Sequence, residues 1–120
     1  MTWIQRQYPR FEATLPVDLR PLGTNAPLRT QTHDISLGGL YAEMTFTQEI
    51  ATAVDITLWI GDWKVSARGE VVSKHPSFGN GIKFTQLADE NRERLNQFLE
   101  TLQPGNRLVH GVAVPPHVKF

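Results

Sequence analysis

The chain has 120 residues, enough for one hydrophobic core and too few for two independent ones. Twelve Lys and Arg balance twelve Asp and Glu, which excludes the surface-wide basic field that non-specific nucleic-acid and anionic-membrane binders use, so any anion site must be local. With no cysteine there is neither a disulfide framework nor a thiolate metal centre, and no apolar run is long enough to span a bilayer; the expectation is a cytoplasmic protein, neither secreted nor membrane-embedded.

From Phe11 to Leu19 the odd positions (Phe11, Ala13, Leu15, Val17, Leu19) are apolar and the even ones mostly polar, which predicts one half-buried strand with Pro16 at an edge or bulge. After a turn-rich stretch from Pro21 to Pro27, Leu28 to Ile35 and Leu40 to Phe46 read as a hairpin around Ser36-Leu37-Gly38-Gly39. Val54, Ile56, Leu58 and Ile60 alternate, Gly61-Asp62 makes a tight turn, and a returning strand starts at Trp63 and runs on through Val71 and Val72. His75 to Gly81 is loop chemistry, and Gly81 to Phe84 a last short strand. The period then changes: Leu95, Phe98, Leu99 and Leu102 recur at helical spacing, with Asp89 as N-cap and Pro104-Gly105 as the stop. Several short strands followed by one helix predict an all-β fold, a small antiparallel barrel with the helix packed over one opening. The tail from Asn106 to Phe120 is open between docking on the barrel, a homodimer contact and a free end.

Two segments carry chemistry. Arg6-Gln-Tyr-Pro-Arg10 precedes the first strand, where Pro9 disfavours helix, and two guanidinium groups there can fork onto phosphate oxygens or the O6/N7 edge of guanine. Such a spacing arises by chance on the order of 0.5 times in a chain with this arginine content, and its bland counterpart is a solvated basic terminus. Asp34-Ile-Ser36-Leu-Gly38-Gly39 lies between strands. Its carboxylate can accept from guanine N1–H and N2–H2, its hydroxyl can bond phosphate or base, and Gly39 permits close backbone approach to a ligand or a positive φ. The bland counterpart is an Asx or Ser turn closing a hairpin. An Asp-x-Ser-x-x-Gly match is expected only about 0.01 times by chance, so this signal is the stronger one.

Other features read as structural. His33, His75, His110 and His117 are too scattered for a metal motif, and Ser36 lacks the partners of a nucleophile. Trp59 and Trp63 flank a hairpin turn as a cross-strand aromatic pair, and Arg92 and Arg94 lie on a solvated helix face among Glu90, Glu93 and Glu100.

In order and strand context, Arg6-x-x-x-Arg10, Asp34-x-Ser36-x-x-Gly39 and Gly79-x-Gly81-Ile82-x-Phe84 before a terminal helix resemble the PilZ family of bacterial cyclic di-GMP receptors. The resemblance covers about Gln5 to Leu102 and implies a six-stranded antiparallel barrel plus C-terminal helix over residues 11–103. Residues 1–10 would be a flexible ligand-clamping segment, and 104–120 a tail outside the motif pattern. It implies that Arg6 and Arg10 contact guanine and phosphates, that Asp34 and Ser36 read guanine and support phosphate, and that Gly39 shapes the turn. Gly79 and Gly81 are assigned to strand geometry. Gln5 departs from members with a third arginine, which leaves open whether one nucleotide or a stacked pair binds. The expectation is a non-enzymatic receptor or freestanding adaptor that binds cyclic di-GMP, needs no metal or further cofactor, and signals to an unidentified effector protein by ligand-induced ordering. The alternatives are a barrel module that binds no nucleotide and a small-barrel RNA or single-strand binder; neutral charge argues against DNA or RNA.

Overall fold

Apolar residues at alternating positions of several strands face a common interior, and the sheet closes on itself. In the computed structural model, which describes residues 8–102, 107–109 and 112–114, the strands are β1 (Phe11–Thr14), β2 (Pro16–Pro21), β3 (Leu28–Ser36), β4 (Gly39–Glu43), β5 (Ala53–Ile60), β6 (Trp63–His75) and β7 (Gly79–Gln86). One helix, α1 (Asp89–Glu100), follows, and then two three-residue strands, β8 (Arg107–Val109) and β9 (Val112–Val114). The hydrogen-bonded order β2-β5-β6-β7-β4-β3 closes through pairing of β2 with β3 into a six-stranded antiparallel barrel, the strand number that the resemblance implies. Inside it the period-two residues Val17, Leu19, Val54, Ile56, Leu58, Leu40, Ala42, Val65, Val71 and Ile82 form the core. Leu95, Phe98 and Leu99 bring the apolar stripe of α1 into the same cluster, and Leu102, just past the helix end, joins them.

The strand predicted from Phe11 to Leu19 is split at Leu15. There the buried Thr32 hydroxyl donates to Ala13 O (2.6 Å) and accepts from Leu15 N–H (3.0 Å), taking the place of a backbone rung. Pro16, which has no N–H to contribute, opens the second half. As a result β1 leaves the barrel wall: it pairs antiparallel with β3 and, on its far side, parallel with β8. Within the tail, β8 therefore docks on β1 by backbone pairing and β9 pairs with β8, in line with one of the three options open from sequence.

Four boundaries differ from the sequence reading. β4 ends at Glu43, short of Phe46, and β7 begins at Gly79, because Pro76-Ser77-Phe78 alone turn the chain and His75 pairs with Gly79. The N-cap of α1 is Ala88, without a side-chain bond, and Asp89 is the first helical residue, where its charge complements the helix dipole. The helix stops at Glu100, before Pro104: Thr101 N–H bonds back to Phe98 O, and its hydroxyl donates to the same oxygen.

Candidate functional site

Register explains why the two motif segments meet. Phe11 pairs with Ile35 and Glu12 with Asp34, so Phe11 and Ala13 turn to the core while Arg10 and Glu12 share the exterior face with Asp34. Arg10 lies diagonally across from Asp34, within reach of a long side chain. Its Nε and Nη2 donate to Asp34 Oδ1 at 2.9 and 2.7 Å, although the residues are 24 apart in sequence. Asp34 Oδ2 lies 3.3 Å from His33 Nδ1. A carboxylate offers about four lone-pair positions, so Asp34 retains capacity for a further donor.

Across the hairpin Asp34 pairs with Tyr41, and Tyr41 in turn pairs with Gly81. The Tyr41 hydroxyl lies 3.0 Å from His75 Nδ1, its ring meets His75 at a tilt with centroids 5.7 Å apart, and His33 stands edge-on to it at 6.3 Å. Burial, reinforced by the Asp34 charge and opposed by Arg10, holds the Tyr41 phenol above its ordinary pKa, so it stays neutral. These rings floor an open depression of about 1190 Å³ that runs from Arg10 and Asp34 past His33, Tyr41 and His75 to Phe46 and Phe78, with Arg29 and Glu43 on its wall. Phe46 and Phe78 are 86% and 74% exposed, so apolar rings stand free at one rim. Gly79 keeps the floor flat: a Cβ there would run into Ala42 O and stand 2.7 Å from the Tyr41 ring. Two arginines against two carboxylates make the lining electrically balanced, which suits a ligand offering both anionic oxygens and hydrogen-bond donors rather than a bare polyanion.

The hairpin end beside this depression is the Ser36-to-Gly39 turn. Ser36 Oγ accepts from Gly38 N–H at 3.0 Å and lies 3.4 Å from Gly39 O, so the hydroxyl is engaged in closing the turn. Gly39 does not adopt a positive φ. A Cβ on it would collide with Ile82 O and stand 2.9 Å from Lys83 Cα, so the requirement for glycine comes from close approach of β7. Thus of the five residues singled out from sequence, Arg10 and Asp34 line the depression, Ser36 and Gly39 shape the adjoining turn, and Arg6 lies outside the described residues.

The sequence profile of the PilZ domain matches residues 4–101. The chain belongs to the PilZ domain family. Among curated proteins none matches its sequence. Solved PilZ structures share its fold: the isolated PilZ domain of YcgR from Escherichia coli with c-di-GMP has a TM-score of 0.64 at 19% identity, covering 82% of this chain and 91% of that one. The PilZ domain of CeSA from a cellulose-synthesizing bacterium has a TM-score of 0.64 at 21% identity, over 77% of this chain and 98% of that one. The Bacillus subtilis inhibitor of motility MotI/DgrA gives 0.69 at 18% identity, and this PilZ chain, aligned over 80% of its own length, spans only 50% of that protein.

Two features of this PilZ barrel differ from the sequence reading. Trp59 and Trp63 are not a cross-strand pair: Trp59 faces Lys64, whose ammonium lies 6.0 Å from its ring centroid, and Trp63 pairs with Ile60 on the opposite face. Arg92 is not merely solvated, since it donates to the Tyr8 hydroxyl; Arg94 does make the expected solvent-side pair with Glu90. His33, Tyr41 and His75, which sequence reasoning left out of the site, have one available signal: the Ser36-to-Gly39 turn fixes a register that places Tyr41 opposite Asp34. Among the described residues no cluster of three or more His, Asp or Glu is arranged for a metal ion, and no helix is long and apolar enough to cross a membrane.

Proposed function

We propose that this PilZ domain is a non-enzymatic receptor for cyclic di-GMP. The observation that carries this reading is the convergence of Arg10 and Asp34, from two separate motifs, beside an aromatic-floored exterior depression. Arg10, with Arg6, donates to phosphate oxygens and the guanine O6/N7 edge, while Asp34 accepts from guanine N1–H and N2–H2. Ser36 and Gly39 hold the turn that positions Asp34, and the Tyr41 and His75 rings give a purine an apolar face to lie on. The YcgR structures solved with c-di-GMP support the choice of ligand. Its output is an adaptor's: ordering on the ligand of the residues ahead of Tyr8, which carry Arg6, creates a surface that an effector protein, or a second copy of the chain, reads in the cytoplasm. A receptor of this kind releases the bound nucleotide intact, and recovery of unchanged dinucleotide after long incubation tests this.

A barrel module that binds no nucleotide is the second reading. It is favoured by the mutual satisfaction of Arg10 and Asp34 and by the Ser36 hydroxyl being engaged in its own turn. Calorimetric titration with cyclic di-GMP, GTP, cyclic GMP and a short RNA decides between them. Saturable binding of cyclic di-GMP well above the others, with the dinucleotide recovered unchanged, is the expected result; no heat with any of the four would leave the second reading.

A further inference from the structure

Tyr8 stands between the two motif arginines in sequence and between two elements in space, the Ser36-to-Gly39 turn and α1. Its ring lies on the Ser36-to-Gly39 turn: a Cβ on Gly38 would stand 2.9 Å from Tyr8 Cδ2 and 3.4 Å from Cε2, so this glycine's missing side chain is the space the ring occupies. The turn beneath is held from both sides, Gly38 N–H by Ser36 Oγ and Gly38 O by Phe84 N–H at 2.8 Å. At its other end the Tyr8 hydroxyl accepts from Arg92 Nη2 at 3.1 Å, across 84 residues of sequence, and the Arg92 guanidinium carbon sits 5.4 Å from the Tyr8 ring centroid. Arg92 belongs to the first turn of α1, where its own N–H makes a helical bond to Ala88 O at 2.8 Å, and it does not line the ligand depression.

We propose that Tyr8 is a positioning residue that fixes Tyr8-Pro9-Arg10 between the Ser36-to-Gly39 turn and the first turn of α1, aiming Arg10 at Asp34 and coupling the ligand site to the helix. Pro9, the single residue between them, locks φ and leaves little slack, so a fixed Tyr8 constrains where the Arg10 side chain begins. Because coupling is reciprocal, ligand held by Arg10 strengthens the Tyr8–Arg92 contact, and loss of that contact weakens ligand binding from a distance. The face of the molecule that changes with ligand therefore includes the N-terminal turn of α1, a surface a partner can read. The second half of this inference rests on the cyclic di-GMP reading; the first half does not.

The test combines a ligand-free and a ligand-bound measurement on the full chain. In the free protein the Arg10 Nε–H signal in 15N–1H spectra reports the ion pair with Asp34. Tyr8→Ala should broaden it or return it to the solvent-exposed position, while Tyr8→Phe, which keeps the ring on Gly38, should leave it nearly intact. In titrations with cyclic di-GMP, Tyr8→Ala should weaken binding by about tenfold or more, and Tyr8→Phe and Arg92→Gln by about two- to fivefold each. The double variant Tyr8→Phe/Arg92→Gln should fall no further than the worse single one, and Arg92→Lys, which keeps a cation and a donor, should recover most of the loss. Fully additive single effects, as independent sites give, or wild-type affinity in Tyr8→Ala would overturn the coupling. An unchanged Arg10 signal in Tyr8→Ala would overturn the positioning role outright. If wild type fails to bind cyclic di-GMP yet Tyr8→Ala still loosens Arg10, the functional reading falls and the positioning role stands.

Discussion

Replacing Arg10 with alanine removes two donors from Asp34 Oδ1 and should affect affinity and stability by different amounts. In the unliganded protein the pair is roughly a quarter exposed on the Arg10 side and 16% on the Asp34 side. It therefore lies between surface pairs, worth about 0–1 kcal/mol, and buried pairs, whose breaking costs about 3–5 kcal/mol. A loss of about 1–2 kcal/mol follows, lowering the melting temperature by roughly 4–10 °C in a domain of this size. In the complex a charge-assisted contact to phosphate or guanine is lost as well, about 1.5–3 kcal/mol, or roughly ten- to a hundredfold in affinity. Arg10→Lys separates the two effects: it restores a charge near Asp34 and most of the stability, but not the fork that two ligand acceptors require, so affinity should stay close to the alanine value. Differential scanning fluorimetry without ligand and calorimetry with cyclic di-GMP read the two quantities independently. Wild-type affinity in folded Arg10→Ala would refute the clamp, and full rescue by Arg10→Lys would reduce Arg10 to a point charge.

Three further substitutions test the framework around the site. Burial first, then the Asp34 charge, raises the Tyr41 phenol's pKa above the usual 10.0, so the associated stability is complete below about pH 10 and is lost as pH rises through the folded-state value; Tyr41→Phe should lose less stability than wild type in denaturant midpoints measured from pH 9 upward, and parallel curves would contradict the assignment. Asn80 is fully buried, its Oδ1 accepting from Gln48 N–H at 2.7 Å and its Nδ2 donating to Gln48 O and Ser73 O. Asn80→Ala leaves three backbone groups without their partner and should cost about 3 kcal/mol or more by urea denaturation, a change under about 1 kcal/mol showing that water replaces the amide. In Gly39→Ala the new methyl meets the β7 backbone, which cannot yield as a side chain would, so the variant should be insoluble or melt at least 10 °C lower, roughly the effect of a 2–3 kcal/mol loss; near-wild-type melting would mean the β4–β7 spacing is looser than described.

The parts of the fold legible in the sequence are those written locally. Val54, Ile56, Leu58 and Ile60 alternate without interruption up to Gly61, whose positive φ of 60° the turn requires, and the hairpin β5–β6 follows directly. The break at Leu15 was not legible, because it is made by Thr32, a side chain 17 residues away that inserts between two strands of otherwise continuous period. β7 was read short for a related reason. Gly79-Asn80-Gly81 has the composition of a loop, yet Gly79 is required by the approach of Ala42 and Tyr41, and Asn80 is fully bonded to backbone that only the closed barrel brings near. Within the site, the residue types of Arg10 and Asp34 carried their chemistry in the sequence. Tyr41 and His75 became site residues only through register, one across each of two hairpins from a position that already mattered.

The motif Asp-x-Ser-x-x-Gly thereby separates into different kinds of constraint. Asp34 offers a half-buried carboxylate bonded to Arg10, Ser36 a hydroxyl that closes its own turn, and Gly39 room for the β7 backbone. Gly38, at a variable position of the motif, makes room for the Tyr8 ring and so ties Tyr8 to the same turn. A ligand that competes for Asp34 must loosen an existing Arg10 ion pair, so part of its interaction free energy offsets a contact the free protein already has. That cost is recovered only if the released guanidinium finds an acceptor on the same ligand. Guanine donors and phosphate acceptors joined in one molecule meet this condition, whereas a bare phosphate leaves Asp34 without compensation and a neutral base leaves Arg10 without it. Under the proposed cyclic di-GMP reading, the ion pair lining the depression would act as a selectivity element, because it favours ligands that carry both halves.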